Sequence, residues 1–151
     1  MKREDISGPI RGRYIDDRFE EGIFRLNPAV YSDPELFELE MKHIFGRTWI
    51  FLALESQLRN PNDFVTRRLG LRPMIVLRDG EGRLRALFNR CTHRGTTLTR
   101  AEKGNARSFS CPYHGWNFLN TGQLRGVPWA DGYACDFRDN KYNVAQAPRV
   151  E

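Results

Sequence analysis

The sequence has no long apolar run. Its longest uncharged one, Trp49 to Leu54, is six residues, where a membrane-crossing helix needs about 20. No apolar stretch follows the charged opening Met1-Lys2-Arg3-Glu4-Asp5, so nothing resembles a secretory signal. There is no internal repeat and no low-complexity tract. Nor is there a dense basic stripe: the net charge is +5, but the arginines that carry most of it scatter from Arg3 to Arg149. That spread argues against a nucleic-acid footprint and suits an acidic protein partner equally well. We therefore expect a cytoplasmic protein that engages neither membrane nor nucleic acid. An apolar content of 40% in 151 residues is enough for one folded core.

Cysteine and histidine are also scarce, three of each. Two of each fall between Cys91 and Trp116. The first pair is Cys91-x-His93 and the second is Cys111-x-x-His114, with seventeen residues between His93 and Cys111. Soft thiolate and imidazole ligands admit zinc or iron–sulfur. Structural zinc sites space paired ligands by two to four residues and commonly use pairs of one type. Here the first pair has one intervening residue, and both pairs are mixed.

A Rieske [2Fe–2S] centre fits better, because it needs two thiolates on one iron and two imidazoles on the other. Two neutral imidazoles in place of thiolates bring the oxidised centre near zero charge, which raises its potential above that of an all-Cys cluster. Cys91, His93, Cys111 and His114 are the candidate ligands, with single-ion zinc as the rival. Gly95 and Gly115 follow the two histidines closely, where we expect backbone N–H groups to approach the sulfides. Pro112, Tyr113 and Trp116 are expected to exclude water. His43 has no ligand partner nearby and reads as an ordinary histidine. Cys135 reads as a spare thiol, so no internal disulfide is expected.

With these motifs in view, the chain resembles the N-terminal part of the large (α) subunit of bacterial aromatic-ring-hydroxylating dioxygenases, the Rieske non-haem iron oxygenases. The resemblance is carried by Cys91-Thr-His93-Arg94-Gly95, Cys111-Pro-Tyr-His114-Gly115-Trp116, Trp49 and Asp63-Phe64. It spans most of the chain from Asn27 to Glu151. It implies an oxidoreductase in which the cluster passes single electrons from a ferredoxin or reductase to a mononuclear Fe(II) in a catalytic domain. It also implies neighbouring α subunits in a trimeric ring, together with a β subunit. The mononuclear iron of such enzymes sits on two histidines and a carboxylate. This chain cannot supply that set, since only His43 remains, so the C-terminal catalytic domain is expected to be absent.

The ligand loops lack the extra cysteines of respiratory Rieske proteins, and Trp116 stands where those proteins carry a serine. The resemblance thus implies a potential near the lower end of the range of about −150 to +300 mV. A stand-alone Rieske ferredoxin and a Rieske monooxygenase or demethylase are the alternatives.

The expected fold is mainly β: antiparallel sheets with two ligand-bearing hairpin loops, preceded by an N-terminal arm and one α-helix. Residues 1–30, broken by Gly8-Pro9, Gly12, Gly22 and Asn27-Pro28, read as the extended arm. Residues 31–48 hold the helix. Its start is either a Ser32–Glu35 capping box or an Asp33 cap before Pro34, and it runs to about Phe45 with Phe37, Met41 and Ile44 on one face. Residues 49–151 form the Rieske domain, which lacks its last strand if the chain ends at Glu151. Strands are expected at Trp49–Leu54, Phe64–Leu69, Pro73–Arg78 and Leu84–Phe88, then at Arg107–Ser110, Asn117–Leu119 and Gln123–Arg125. Asp79–Gly82 and Asn120–Gly122 read as hairpin turns.

Overall fold

The computed structural model describes residues 12–133, 136–137 and 140–151. Two compact units emerge, Met1–Trp49 and Ile50–Glu151. As expected, the chain is mainly β. It has three antiparallel sheets and one longer helix.

In the first unit, strands β1 (Ile15–Arg18) and β2 (Ile23–Leu26) pair in register from Ile15 opposite Leu26 to Arg18 opposite Ile23. Within the stretch read as an extended arm there is therefore a hairpin. Gly22 closes its turn with a φ of +65°, a left-handed conformation cheap only for glycine. Helix α1 spans Pro34–His43. Of the two possible starts, Asp33 is the one used: its Oδ1 accepts from the backbone N–H groups of Glu35 (2.8 Å) and Leu36 (3.3 Å). Tyr14 donates its hydroxyl to the other oxygen at 2.6 Å. The buried residue of α1 is Leu36, whereas Phe37 and Ile44 of the expected apolar face are exposed.

In the second unit, β3 (Asp63–Leu69), β4 (Arg72–Arg78), β5 (Leu84–Phe88) and β6 (Lys103–Asn105) form a sheet in the order β5-β4-β3-β6. β4 and β3 are its inner strands, and Met74 to Leu77 of β4 are all buried, as an uninterrupted apolar run suggests. The turn into β5 is organised by Asp79. Its buried carboxylate accepts from the N–H groups of Glu81 (2.9 Å) and Arg83 (3.0 Å) and from Arg85 Nε (2.7 Å). The second sheet, β7 (Ser108–Ser110), β8 (Asn117–Leu119) and β9 (Leu124–Gly126), runs in chain order.

Two expectations change. Trp49–Leu54 is not a strand. Leu52 and Ala53 pack on Leu58, Val65 and Val76, while Trp49 and Phe51 are 62% and 76% exposed. No neighbouring strand offers it a ladder, and the Leu52 carbonyl accepts from the Arg67 side chain instead (3.0 Å). Conversely, β6 lies in what reads as a plain connection. It pairs with β3, Asp63 opposite Asn105 and Val65 opposite Lys103, and Asn105 Nδ2 also donates to Asp63 Oδ1 at 2.8 Å. At the other edge, residues 145–147 lie along β5: Phe88 N–H donates to Ala145 O and Ala147 N–H to Ala86 O, both at 2.8 Å.

Candidate metal centre

The ligand loops are two copies of one backbone turn. In the first, Cys91 N–H donates to Thr96 O (2.8 Å) and Gly95 N–H to Cys91 O (2.8 Å). In the second, Cys111 N–H donates to Trp116 O (2.7 Å) and Gly115 N–H to Cys111 O (3.0 Å). The two glycines have φ of +74° and +72°. Both loops thus place cysteine first and a left-handed glycine fifth. The histidine is third in one and fourth in the other, which is why the two spacings read differently in sequence.

This geometry revises the expected role of the glycines. Their N–H groups are used on the cysteine carbonyls. The backbone N–H groups that donate to the Cys91 sulfur are those of His93 and Arg94. What glycine supplies is the positive φ and close approach. A Cβ at Gly115 would lie 2.9 Å from Pro128 Cγ, and one at Gly95 2.7 Å from the Arg90 guanidinium.

The loops are anchored differently. The second is the tip of the β7–β8 hairpin, with Ser110 paired opposite Asn117 directly beneath it. The first follows β5 and leads to β6 at the opposite edge of the sheet, so no hairpin closes it. Asn89 closes it instead. Its buried Oδ1 accepts from Leu98 N–H and Thr99 N–H, both at 3.0 Å, and its Nδ2 donates to Thr99 O at 2.7 Å. Sequence reading passed over Asn89, although a lone asparagine between a strand and a Cys-x-His motif is a candidate for such a role.

The candidate ligands meet in two pairs, Cys91 with Cys111 and His93 with His114. Cys91 and Cys111 are buried free thiols within the core, and the His93 and His114 rings are 4.8 Å apart by centroid. Burial pushes the Cys91 thiol pKa up; the N–H groups of His93 and Arg94 oppose this, and the adjacent Cys111 adds to it. Burial pushes His93 down, with His114 and Arg94 contributing. Burial thus favours the neutral form of both the His93 imidazole and the Cys91 thiol, and a bound cation would favour the Cys91 thiolate.

The donor set fits a two-iron cluster. The Nδ1 atoms of His93 and His114 are buried and have no hydrogen-bond partner among the described residues, an arrangement that costs stability unless a ligand satisfies them. No group of three or more Cys, His, Asp or Glu among the described residues converges on one point as a single metal ion would need. A Rieske cluster takes two ligands per iron, and a thiol pair beside an imidazole pair is that donor set.

Water exclusion differs in detail from expectation. Trp116 is 3% exposed, but Tyr113 is 59% exposed and Pro112 also lies at the surface. The rings of Phe137, Tyr142 and Tyr133 surround the Trp116 indole instead. His43 lies on α1, in the first unit. Cys135 lies outside the described residues.

The family model of the Rieske [2Fe-2S] domain matches residues 48–143, well over half of the chain. The chain belongs to the Rieske [2Fe–2S] domain family. Its cofactor is accordingly a Rieske [2Fe–2S] cluster. This Rieske domain is 46% identical over 132 residues to the anthranilate 1,2-dioxygenase large subunit of Acinetobacter baylyi, covering 87% of the chain and 28% of that subunit. Among solved structures it is similar to naphthalene 1,2-dioxygenase from Rhodococcus sp. bound to indole, with a TM-score of 0.76 and 40% identity, covering 83% of the chain and 29% of that one. It is also similar to a quaternary ammonium Rieske monooxygenase, with a TM-score of 0.72 and 32% identity, covering 78% and 32%. The chain spans about three-tenths of the length of these relatives. Among the described residues, no helix is long and apolar enough to cross a membrane.

Proposed function

We propose that this Rieske domain is the electron-transfer part of an aromatic-ring-hydroxylating dioxygenase α subunit. Cys91 and Cys111 hold one iron, and His93 and His114 hold the other through Nδ1. The observation that carries this reading is a pair of buried thiols and a pair of adjacent imidazoles with unpartnered nitrogens, presented by twin loops. When bound, the cluster takes up and gives back one electron at a time.

The chain's own residues set the conditions for that exchange. The two cysteines supply negative charge in a site that Trp116, Leu98 and Phe109 help keep dry. The backbone N–H groups of His93 and Arg94 steady the Cys91 sulfur. The two histidines are half-buried, so their outer edges offer the route by which an electron enters or leaves. Electrons come from a ferredoxin or reductase and go to a mononuclear iron in a catalytic domain. The setting is a cytoplasmic assembly with neighbouring α subunits in a trimeric ring and a β subunit. The Rieske domain proper occupies residues 49–151, after the arm of residues 1–30 and the helical stretch of residues 31–48.

A monooxygenase is the second reading, supported by the likeness to the quaternary ammonium enzyme. The dioxygenase reading is preferred because its relatives are more similar, at 46% and 40% identity against 32%. Anaerobic purification followed by iron and acid-labile sulfide analysis tests the cluster. Two irons, two sulfides and a Rieske-type electron paramagnetic resonance (EPR) signal on reduction are expected. Stoichiometric zinc without sulfide would overturn the reading.

A further inference from the structure

Trp116 belongs to the second ligand loop, yet its indole lies flat on His93 of the first. The ring centroids are 4.7 Å apart and the planes differ by 2°. We infer that Trp116 is a positioning residue for His93, fixing the plane in which that imidazole meets iron. The inference rests on the proposed role of His93 as an iron ligand.

A metal–nitrogen bond fixes where Nδ1 sits but leaves the ring free to rotate about the bond. The χ2 torsion of histidine is broad and does not set that angle by itself. In many metal sites a hydrogen bond to the other ring nitrogen does so. Around His93 the neighbours are rings: the face of Trp116, the edge of His114 at 4.8 Å and the edge of Tyr133 at 6.3 Å. Rotation away from parallel would drive an imidazole edge into the indole carbons.

Trp116 is itself unable to yield. It is 3% exposed, and Phe137 meets it edge-on at 5.3 Å and 87°. Tyr142 and Tyr133 also meet it edge-on, each at 6.1 Å. Its indole N–H has no acceptor among the described residues, so ring packing sets its orientation. His114 lacks a comparable support. Its neighbour Tyr113 is close, at 3.7 Å and 32°, but is 59% exposed and unconfined. The two imidazoles therefore depend on different things, and only His93 depends on Trp116.

Trp116→Phe and Trp116→Leu both refill the core space, and only the first keeps a ring face. The reduced proteins are compared by pulsed EPR, which resolves the nitrogen couplings of the two imidazoles, with iron, sulfide and circular dichroism recorded alongside. Phe is expected to keep both sets sharp, whereas Leu broadens or loses one set and leaves the other in place. Loss of the cluster in a folded Leu variant, with the cluster retained in Phe, counts the same way. Phe and Leu behaving alike, or an equal change in both nitrogen sets, would overturn the inference. A parent protein without iron and sulfide would instead remove the ligand assignment beneath it.

Discussion

At Cys91 and Cys111 the expected chemistry depends on softness, because a hydroxyl does not replace a thiolate on iron. Cys91→Ser and Cys111→Ser are each expected to reduce bound iron and sulfide to background, read from metal analysis and visible absorbance. His43→Ala and Cys135→Ser should leave both unchanged. Asp79 offers a pH test away from the cluster. Burial pushes its pKa up, but the Arg85 guanidinium and the N–H groups of Arg83 and Glu81 outweigh this, and the net shift is downward. A carboxylate whose folded pKa is depressed stabilises the fold above its unfolded value. That stability is lost as pH falls through the folded value. Urea-unfolding midpoints of the parent should therefore fall below about pH 4, and Asp79→Asn should flatten that acid limb. At neutral pH the same variant is expected to cost about 1–3 kcal/mol, because it leaves buried donors without a charged acceptor.

At the scale of elements, the twin loops make a comparison possible. An alanine at either glycine must adopt a positive φ, a strain of about 1–2 kcal/mol. At Gly95 the obstructing atom is the far end of the Arg90 side chain, which can swing away. At Gly115 it is the Pro128 ring, which cannot. Gly115→Ala is therefore expected to lose more cluster than Gly95→Ala, measured as iron and sulfide per chain after identical anaerobic purification. Equal losses would show that Pro128 can shift. Helix α1 depends on its cap, and Asp33→Ala should cost about 1 kcal/mol. Amide hydrogen exchange at Glu35 and Leu36 would show this as a several-fold increase in rate, provided α1 opens locally.

For the whole molecule, the potential is the informative quantity. Trp116 brings an indole against His93, and no serine hydroxyl stands at that position to donate to a sulfide. Fewer such donors stabilise the reduced centre less. Protein-film voltammetry is expected to give a midpoint near the lower end of the range of about −150 to +300 mV, and a value well above zero would contradict this. The 151-residue polypeptide is also expected to accept electrons from a reductase without consuming oxygen when an aromatic substrate is added. Among the described residues there is no group of three or more such side chains of the kind a mononuclear iron needs.

Residue order encodes local pattern, and here that pattern reached some features. Cys-x-His and Cys-x-x-His named the cluster type. The apolar run Met74–Leu77 and the Asp79–Gly82 turn located β4 and its hairpin with β5. Ser32-Asp33-Pro34-Glu35 marked the helix start to within a residue, and the structure chose the Asp33 cap. Long-range contacts decided the rest. The alternation around Ile15 and Ile23 is weak because most of that hairpin is exposed, so β1 and β2 were not legible. β6, Lys103-Gly104-Asn105, carries no apolar signal and exists because β3 offers it a backbone edge. Trp49–Leu54 has the composition of a strand but no partner, and a strand without a ladder does not form. The equivalence of the two ligand loops depends on carbonyls and a positive φ. The Asn89 closure and the Trp116 stack join residues that lie 10 and 23 positions apart. Such contacts follow from where the folded backbone goes, which residue order alone does not state.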